Sequence, residues 1–505
     1  MERTLKARKI DIAQGTYEVV LNQDDADELW LKPNDRVKIV CRDDSISALV
    51  DITDTLIQKD ELGIFIDLWD VLKLKDGEEV RIIPTSRPAS IDFIRKKIYA
   101  NPWTKEEINT IINDIALGNL SDIELSAYAT AVQINGLNMD EITWLTTAMV
   151  GSGETIDFEA SPILDVHSIG GVPGNKYAPI TVAIVAANGL IIPKTSSRAI
   201  SSAAGTADIM ETLCNVEFDA QSIKRIARET NGALVWGGGV NLAPADDAII
   251  RVEYPLSLDP HGQVLASVMA KKKAIGADYC VIDIPVGEGT KVVDNEQARQ
   301  MARDFITLGE RLGIRTMCTI TYGGQPVGRA IGPALEIKEA LSVLEGSPKP
   351  NSLIEKSLSL AGILLELGGV AQPKKGRDLA KDTLGSKKAL EKFKEIINAQ
   401  GGNPDVKSDD IHHGKYTYDL PSPKDGYIEA VKNRAVTKIA RTAGSPKDKG
   451  AGVVLGYKRG ESAAEGDTLL TIYAENERKL SDAKSLANKL QPVVVEGMIL
   501  EEIVE

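Results

Sequence analysis

Cysteine is scarce in this chain. Its four cysteines, Cys41, Cys214, Cys280 and Cys318, stand far apart, with no CxxC pair and no histidines at zinc-ligand spacing. That excludes a disulfide scaffold and a structural zinc module, and leads to the expectation of a reduced, cytoplasmic setting. Positive charge is short as well: 59 Lys and Arg against 73 Asp and Glu leave a formal net charge of −14. This excludes a general affinity for nucleic acid or for an anionic membrane, so any anionic ligand must be held by donors concentrated in one place. The longest apolar stretch, Ile180 to Ile192, is too short to span a bilayer. The opening MERTLKARKIDI is charged and lacks the apolar centre of a signal peptide, so neither anchoring nor export is expected.

What is present suffices for several cores. At about 150 residues per domain the length predicts three to four domains, and 43% apolar with 26% charged residues is a globular composition. Residues 1–86 read as a β-rich N-terminal domain, a candidate for subunit contacts. They hold an internal echo: Leu31-Lys-Pro-Asn-Asp35-Arg-Val37 recurs as Leu74-Lys-Asp-Gly-Glu78-Glu-Val80, each turn leading into a strand, which suggests two pseudo-equivalent halves. Residues 88–160 switch to helical periodicity with three capping-box spacings, Thr104 with Glu107, Ser121 with Glu124 and Asn138 with Glu141, and predict a helical bundle. From 161 to 402 apolar strand-like runs alternate with helical stretches, the mark of a parallel sheet wrapped by helices. Residues 405–505 read as a β-rich, α+β C-terminal domain. The expected fold class is therefore multidomain α/β.

Four predicted strands of the α/β region end in loops too elaborate for mere connection. ILDVHS runs into Gly170-Gly171-Val-Pro-Gly174-Asn-Lys176, with a helix expected to start near Pro179. LIIPK runs into Thr195-Ser-Ser-Arg198-Ala-Ile-Ser-Ser-Ala-Ala-Gly205-Thr206, GALVWGG into a longer stretch reaching Asp259, and DYCVIDIPV into Gly287-Glu-Gly289-Thr-Lys291. In an open parallel sheet such loops converge at the carboxyl ends of the strands. Glycines admit backbone N–H groups to an anion, and Ser, Thr, Arg and Lys add hydrogen bonds and charge, so the ligand class is phosphate. An ordinary turn explains the glycine loops alone. It does not explain Ser196, Ser197, Arg198, Ser201, Ser202 and Thr206 crowded together.

The runs Asp165-Val-His-Ser168-Ile-Gly-Gly171 and Ser197-Arg-Ala-Ile-Ser-Ser-Ala-Ala-Gly-Thr206-Ala-Asp-Ile-Met-Glu211 resemble the two signature segments of the thymidine and pyrimidine-nucleoside phosphorylase family. The order of helical bundle, α/β domain and β tail is also similar, so the resemblance spans roughly 88 to 505. Pyrimidine phosphorylases carry Lys where this chain has Val166, and a base-reading Arg where it reads Val252-Glu-Tyr-Pro. Pyrimidine recognition is therefore not implied. The extra front domain, HSIGGVPGNK and KTSSRAISSAAGTAD resemble instead the archaeal branch of AMP phosphorylases, which act on nucleoside 5′-monophosphates.

That resemblance implies a pentosyltransferase taking AMP, and other nucleoside 5′-monophosphates as candidates, with inorganic phosphate as co-substrate. It implies no cofactor, no metal, no nucleic-acid or membrane partner, and a homodimer or larger homo-oligomer. It assigns Asp259 as the proton donor to the departing base, a proton that burial or nearby negative charge must hold in place near neutral pH. It assigns AMP contacts to Gly171, Ser197, Arg198, Ala199, Ile200, Ser201, Ser202, Thr206, Ser267 and Lys291, with Arg198 suited to bidentate phosphate binding. Ser168 and Ser196 are further candidates for the attacking phosphate, and Lys271 and His167 stay unassigned. Three alternatives remain open here: a pyrimidine-nucleoside phosphorylase, an anthranilate-type phosphoribosyltransferase, which would need magnesium, and a non-catalytic AMP-binding scaffold.

Overall fold

The computed structural model describes residues 2–42, 44–199, 202–499 and 503. The first six strands, β1 (Arg3–Ile10), β2 (Glu18–Asn22), β3 (Arg36–Cys41), β4 (Asp44–Thr53), β5 (Glu61–Phe65) and β6 (Glu79–Thr85), close into a barrel of order β1-β5-β2-β4-β3-β6. Short helices α1 (Gln23–Glu28) and α2 (Ile66–Leu72) follow β2 and β5. The echo is physical: β2-α1-β3 and β5-α2-β6 are equivalent units. In the first turn Asp35 accepts the Lys32 N–H at 2.8 Å, and in the second Glu78 accepts the Lys75 N–H at 3.0 Å. Leu31 and Leu74 are both buried in the barrel core beside Val37, Ile39, Val80 and Ile82, the inward positions of alternating strands.

Four helices follow, α3 (Ser90–Ile98), α4 (Lys105–Ala116), α5 (Asp122–Asn135) and α6 (Met139–Gly151). All three predicted capping boxes form. Each satisfies N–H groups that have no partner inside the helix. Along α4 the buried residues Ile108, Ile111, Ile112 and Ile115 make the apolar stripe that helical periodicity demands.

The α/β region contains β7 (Leu164–Ser168), α7 (Tyr177–Ala187), β8 (Ile192–Ser196), α8 (Thr206–Met210), α9 (Ala220–Thr230), β9 (Gly232–Trp236), α10 (Pro244–Leu256), α11 (His261–Ala274), β10 (Tyr279–Val286), α12 (Asn295–Leu312) and β11 (Arg315–Tyr322). Strands pair in parallel as β11-β10-β7 and β8-β9, and a parallel bridge between Ile163 and Ile191 links the two sets. The interior strands are buried on both faces, which is why they read as unbroken apolar runs. Helix α7 starts at Tyr177, not near Pro179. Pro179 still lies in the first turn, where a missing N–H breaks no helical bond.

The rest comprises β12 (Ala330–Ile331), helices α13 (Pro333–Leu344), α14 (Asn351–Leu367), α15 (Gly376–Gly385) and α16 (Lys388–Ala399), and then β13 (Tyr416–Pro421), β14 (Gly426–Val431), α17 (Asn433–Ala443), β15 (Gly452–Leu455), β16 (Ser462–Ala463), β17 (Thr468–Ala474), α18 (Glu477–Leu490) and β18 (Val493–Glu496). Two antiparallel sheets, β12-β15-β17-β13 and β16-β14-β18, make the C-terminal domain, with α17 and α18 packed on it.

The chain divides into two compact units: residues 1–152 with 244–267, and residues 153–243 with 268–505. At one segment this division by contacts differs from the sequence reading. The sequence reading kept 244–267 inside the α/β domain, but α10 packs against α4 and α5, so that segment belongs with the helical bundle. Among the described residues no helix is long and apolar enough to cross a membrane.

Candidate functional site

In the second unit the first signature segment ends β7. Ser168 Oγ accepts a hydrogen bond from Asn175 Nδ2 at 3.0 Å, which folds the glycine loop back over the strand end. Gly171 has φ +90°, and a Cβ there would lie 2.7 Å from the backbone nitrogen of Lys291. Glycine is thus required twice, for its left-handed backbone and for the close approach of the Gly287–Lys291 loop. Two of the predicted substrate positions, Gly171 and Lys291, are thereby brought together.

The loop after β8 is organised by Asp208. Its Oδ2 accepts N–H groups from Ala199 at 2.6 Å and Gly205 at 2.9 Å. Gly205 leaves no room for a side chain, because a Cβ would stand 2.4 Å from the carbonyl of Ser197. Ser196 donates to the Val235 carbonyl at 3.1 Å, and Ser202 to that of Ala204 at 3.0 Å. Thr206 opens α8. Ile200 and Ser201, both predicted contacts, lie outside the described residues.

Arg198 departs from expectation. Its fork was expected to grip a phosphate, but both arms close on Glu211, at 2.8 and 2.7 Å, one arm also reaches Glu217 at 2.8 Å, and the guanidinium lies 4.8 Å from the ring centre of Trp236. Bidentate carboxylate and cation–π contacts together hold it. The Arg198 hydrogen bond draws the Glu211 carboxyl down to about 2, and the Glu211 bond raises the guanidinium above its usual value. Arg198 is therefore a brace of this loop. Its partners could not be read from the sequence, since Glu211 and Glu217 lie on later turns.

The strongest electrostatic feature was missed by sequence reasoning. At the carboxyl end of β7, His167 is half-buried, with its Nδ1 sealed from solvent and without a hydrogen-bond partner. Its pKa is held well below the ordinary value, by desolvation first and then by Lys272, Lys194, Lys271 and Lys291. Lys272 pairs with Asp165 at 2.6 Å, and both side chains are fully buried. Lys194 is buried too, donates to the Thr195 carbonyl, and is lowered to about 7 by burial and by the charge of Lys272. Four lysines thus converge on one histidine. The signals were a lysine inside the apolar run IIPKTS, and a KKK run that looked like a solvated face. A second buried pair, Lys356 with Asp283 at 2.7 Å, braces the neighbouring strand β10, and Asp283 also accepts from Thr321.

Asp259 and Ser267 belong to the first unit. Asp259 is exposed in the loop between α10 and α11, next to buried Pro260. Ser267 lies on α11 and donates to Asp246 at 2.7 Å. On the same helix Gln263 accepts from the Tyr128 hydroxyl at 3.0 Å, and Tyr128 stacks on Trp103 with ring centres 5.6 Å apart. The stack and the hydrogen bond set the helix that follows Asp259. Among the described residues no group of His, Cys, Asp or Glu is arranged to hold a metal ion.

Comparison with known proteins gives the same order of domains. Residues 91–153 match the glycosyl transferase family helical bundle domain, 160–390 the glycosyl transferase family a/b domain, and 427–493 the pyrimidine nucleoside phosphorylase C-terminal domain. The chain is 53% identical over 499 residues to an AMP phosphorylase of Methanosarcina barkeri, covering 99% of this chain and 98% of that one. It is 51% identical over 498 residues to the AMP phosphorylase of Thermococcus kodakarensis, covering 99% of each. Among solved structures it is similar in fold to anthranilate phosphoribosyltransferase from Thermus thermophilus, with a TM-score of 0.52 and 20% identity, covering 62% of this chain and 100% of that one.

Proposed function

The chain belongs to the AMP phosphorylase family, and from that premise we propose how its residues divide the phosphorolysis of AMP. The enzyme is a pentosyltransferase. An oxygen of inorganic phosphate bonds to C1′ of AMP, the C1′–N bond breaks with its electron pair leaving on adenine, and a proton delivered to the base completes its departure. The other product is ribose 1,5-bisphosphate, because the 5′-phosphate is untouched. Inorganic phosphate is a co-substrate and no further cofactor enters the scheme.

The sugar becomes cation-like as the bond breaks, and the base gathers negative charge. Asp259 is the proposed acid. Because it is exposed, the negative charge of the two bound phosphate groups is the proposed means of keeping its proton in place. The glycine loop at Gly171, the loop from Ser197 to Thr206, and Lys291 are proposed to receive the nucleotide, with Ser168 and Ser196 toward the attacking phosphate and Ser267 as a further nucleotide contact. The observation that carries the reading is charge: a chain with a net charge of −14 gathers four lysines around His167. Ammonium groups in a region of low dielectric favour a multiply charged anion, and a bound anion would raise Lys194, held at about 7 without it, toward its charged form. The phosphoribosyltransferase alternative has less support, since that likeness is one of fold and covers 62% of this chain.

The test is release of adenine from AMP, dependent on phosphate and insensitive to EDTA, by wild type and by Asp259→Asn. The variant should keep AMP binding and lose roughly 10²–10⁴-fold in kcat. Turnover equal to wild type would reject Asp259 as the acid. CMP, UMP and GMP in the same assay define the range of bases.

A further inference from the structure

Helix α17 lies in the C-terminal domain, yet its polar residues at both ends serve loops of the α/β domain. Its apolar face, Val436, Ile439, Ala440 and Ala443, is buried in the C-terminal core. At its start, Asn433 is 3% exposed, and its Nδ2 donates to the Glu288 carbonyl at 3.0 Å and to the Gly323 carbonyl at 2.7 Å. One side-chain amide therefore ties the loop after β10 to the turn after β11. The contact is close: a Cβ at Gly289 would lie 3.2 Å from the Asn433 Cβ and 3.5 Å from the Arg434 Cγ.

At the other end, Arg441 Nη1 donates to the Ser202 carbonyl at 3.1 Å. The next residue of that loop, Ala203, is buried as a member of the C-terminal core. Just beyond the helix, Lys449 pairs with Glu211, the carboxylate that grips Arg198. From Asn433 to Arg441 the helix rises about 12 Å, at 1.5 Å per residue. A rigid rod thus touches the Gly287–Lys291 loop near one end and the Ser197–Thr206 loop near the other. Glycine-rich loops held only by their own turns would sample many separations, and ordering them on binding costs affinity.

We propose that Asn433 and Arg441 are positioning residues of the nucleotide site, and that helix α17 sets the separation of the two loops that receive AMP. This rests on the proposed assignment of those loops to AMP. It gives the C-terminal domain a part in substrate binding without any contact to the reacting atoms. The hydrogen bonds run to backbone carbonyls, so the consequence of losing them is a displaced loop rather than a lost ligand contact.

The test uses the full-length enzyme with Arg441→Met, Arg441→Lys and Asn433→Asp, measuring KM for AMP, KM for phosphate, kcat and Tm, with AMP affinity measured directly by calorimetry. Arg441→Met should raise KM and Kd for AMP about tenfold, with kcat within threefold of wild type and an unchanged Tm. Arg441→Lys, which keeps a donor, should recover most of that loss. Asn433→Asp sets a carboxylate against two carbonyl oxygens in a buried place, so it should raise KM and Kd for AMP likewise with kcat kept within threefold, and lower Tm as well. Lower kcat and Tm with an unchanged KM for AMP would show a merely structural role and overturn the proposal, as would wild-type affinity in both Arg441→Met and Asn433→Asp. Wild-type enzyme is the control for the underlying reading: if it releases no adenine, the assignment of function fails, whereas an active wild type with unaffected variants sinks only the role of α17.

Discussion

The buried triad Asp165, Lys272 and Lys194 makes an asymmetric prediction. Lys272 and Asp165 are 2.6 Å apart with neither side chain exposed, and Asp165 also accepts the Val166 N–H at 2.7 Å. Removing one partner of such a pair leaves a buried charge without balance and costs about 3–5 kcal/mol. The two removals are not equivalent. Asp165→Asn leaves Lys272 buried with no carboxylate, so its cost should lie at the upper end, about 5 kcal/mol. Lys272→Met leaves Asp165 in the field of Lys194, and it also removes the charge that, after burial, does most to hold the Lys194 pKa down. Lys194 is then more fully protonated and becomes the counter-ion, and the cost should fall to about 3 kcal/mol. The double substitution should cost no more than Asp165→Asn alone, because partners of one pair are not additive. Native-state hydrogen exchange on peptides covering β7 and β10 reads the opening free energy of this sheet directly. A Lys272→Met variant destabilised as much as Asp165→Asn, or more, would refute the role given to Lys194.

Two further outcomes follow from the same site. Lys194 falls to about 7 in the folded chain from an ordinary 10.5, so between these values the unfolded state binds the extra proton and stability rises with pH, by at most about 1.4 kcal/mol per unit. Below about 7 both states are protonated and the cost of burial no longer changes with pH. Opening free energies of wild type and Lys194→Met at pH 7, 8 and 9 should therefore diverge, wild type climbing more steeply, and parallel slopes would sink the idea. Gly171→Ala places a Cβ 2.7 Å from the Lys291 nitrogen at φ +90°. Beyond a strain of about 1–2 kcal/mol, it should push the two loops apart and lower kcat/KM for AMP by at least about tenfold, and a value within threefold of wild type would show that the close approach is dispensable.

What could be read in advance shares one property: the interacting groups are close along the chain. Thr104 and Glu107 cap α4 because an N-cap and its third residue always meet. The paired turns at Lys32 and Lys75 close on carboxylates three residues ahead. Strands of a parallel sheet betray themselves by being apolar throughout, as do glycine loops by their composition. Arg198 shows where this stops. Its chemistry was legible as a fork for an anion, but whether the anion is a ligand or the carboxylates of Glu211 and Glu217 depends on how the loop folds back.

The amino-acid order alone determined the elements, the caps, the glycine turns and the kind of ligand that clustered Ser, Thr, Arg and Lys can accept, since each depends on neighbours at fixed offsets. Tertiary structure decided that 244–267 leaves the sheet region for the bundle, that Asp165 and Lys272 pair across 107 residues, and that a helix from the last domain holds two loops of an earlier one. Burial is the reason. A lysine in a charged run and a lysine sealed against a carboxylate are written with the same letter, and only the removal of water by packing separates them.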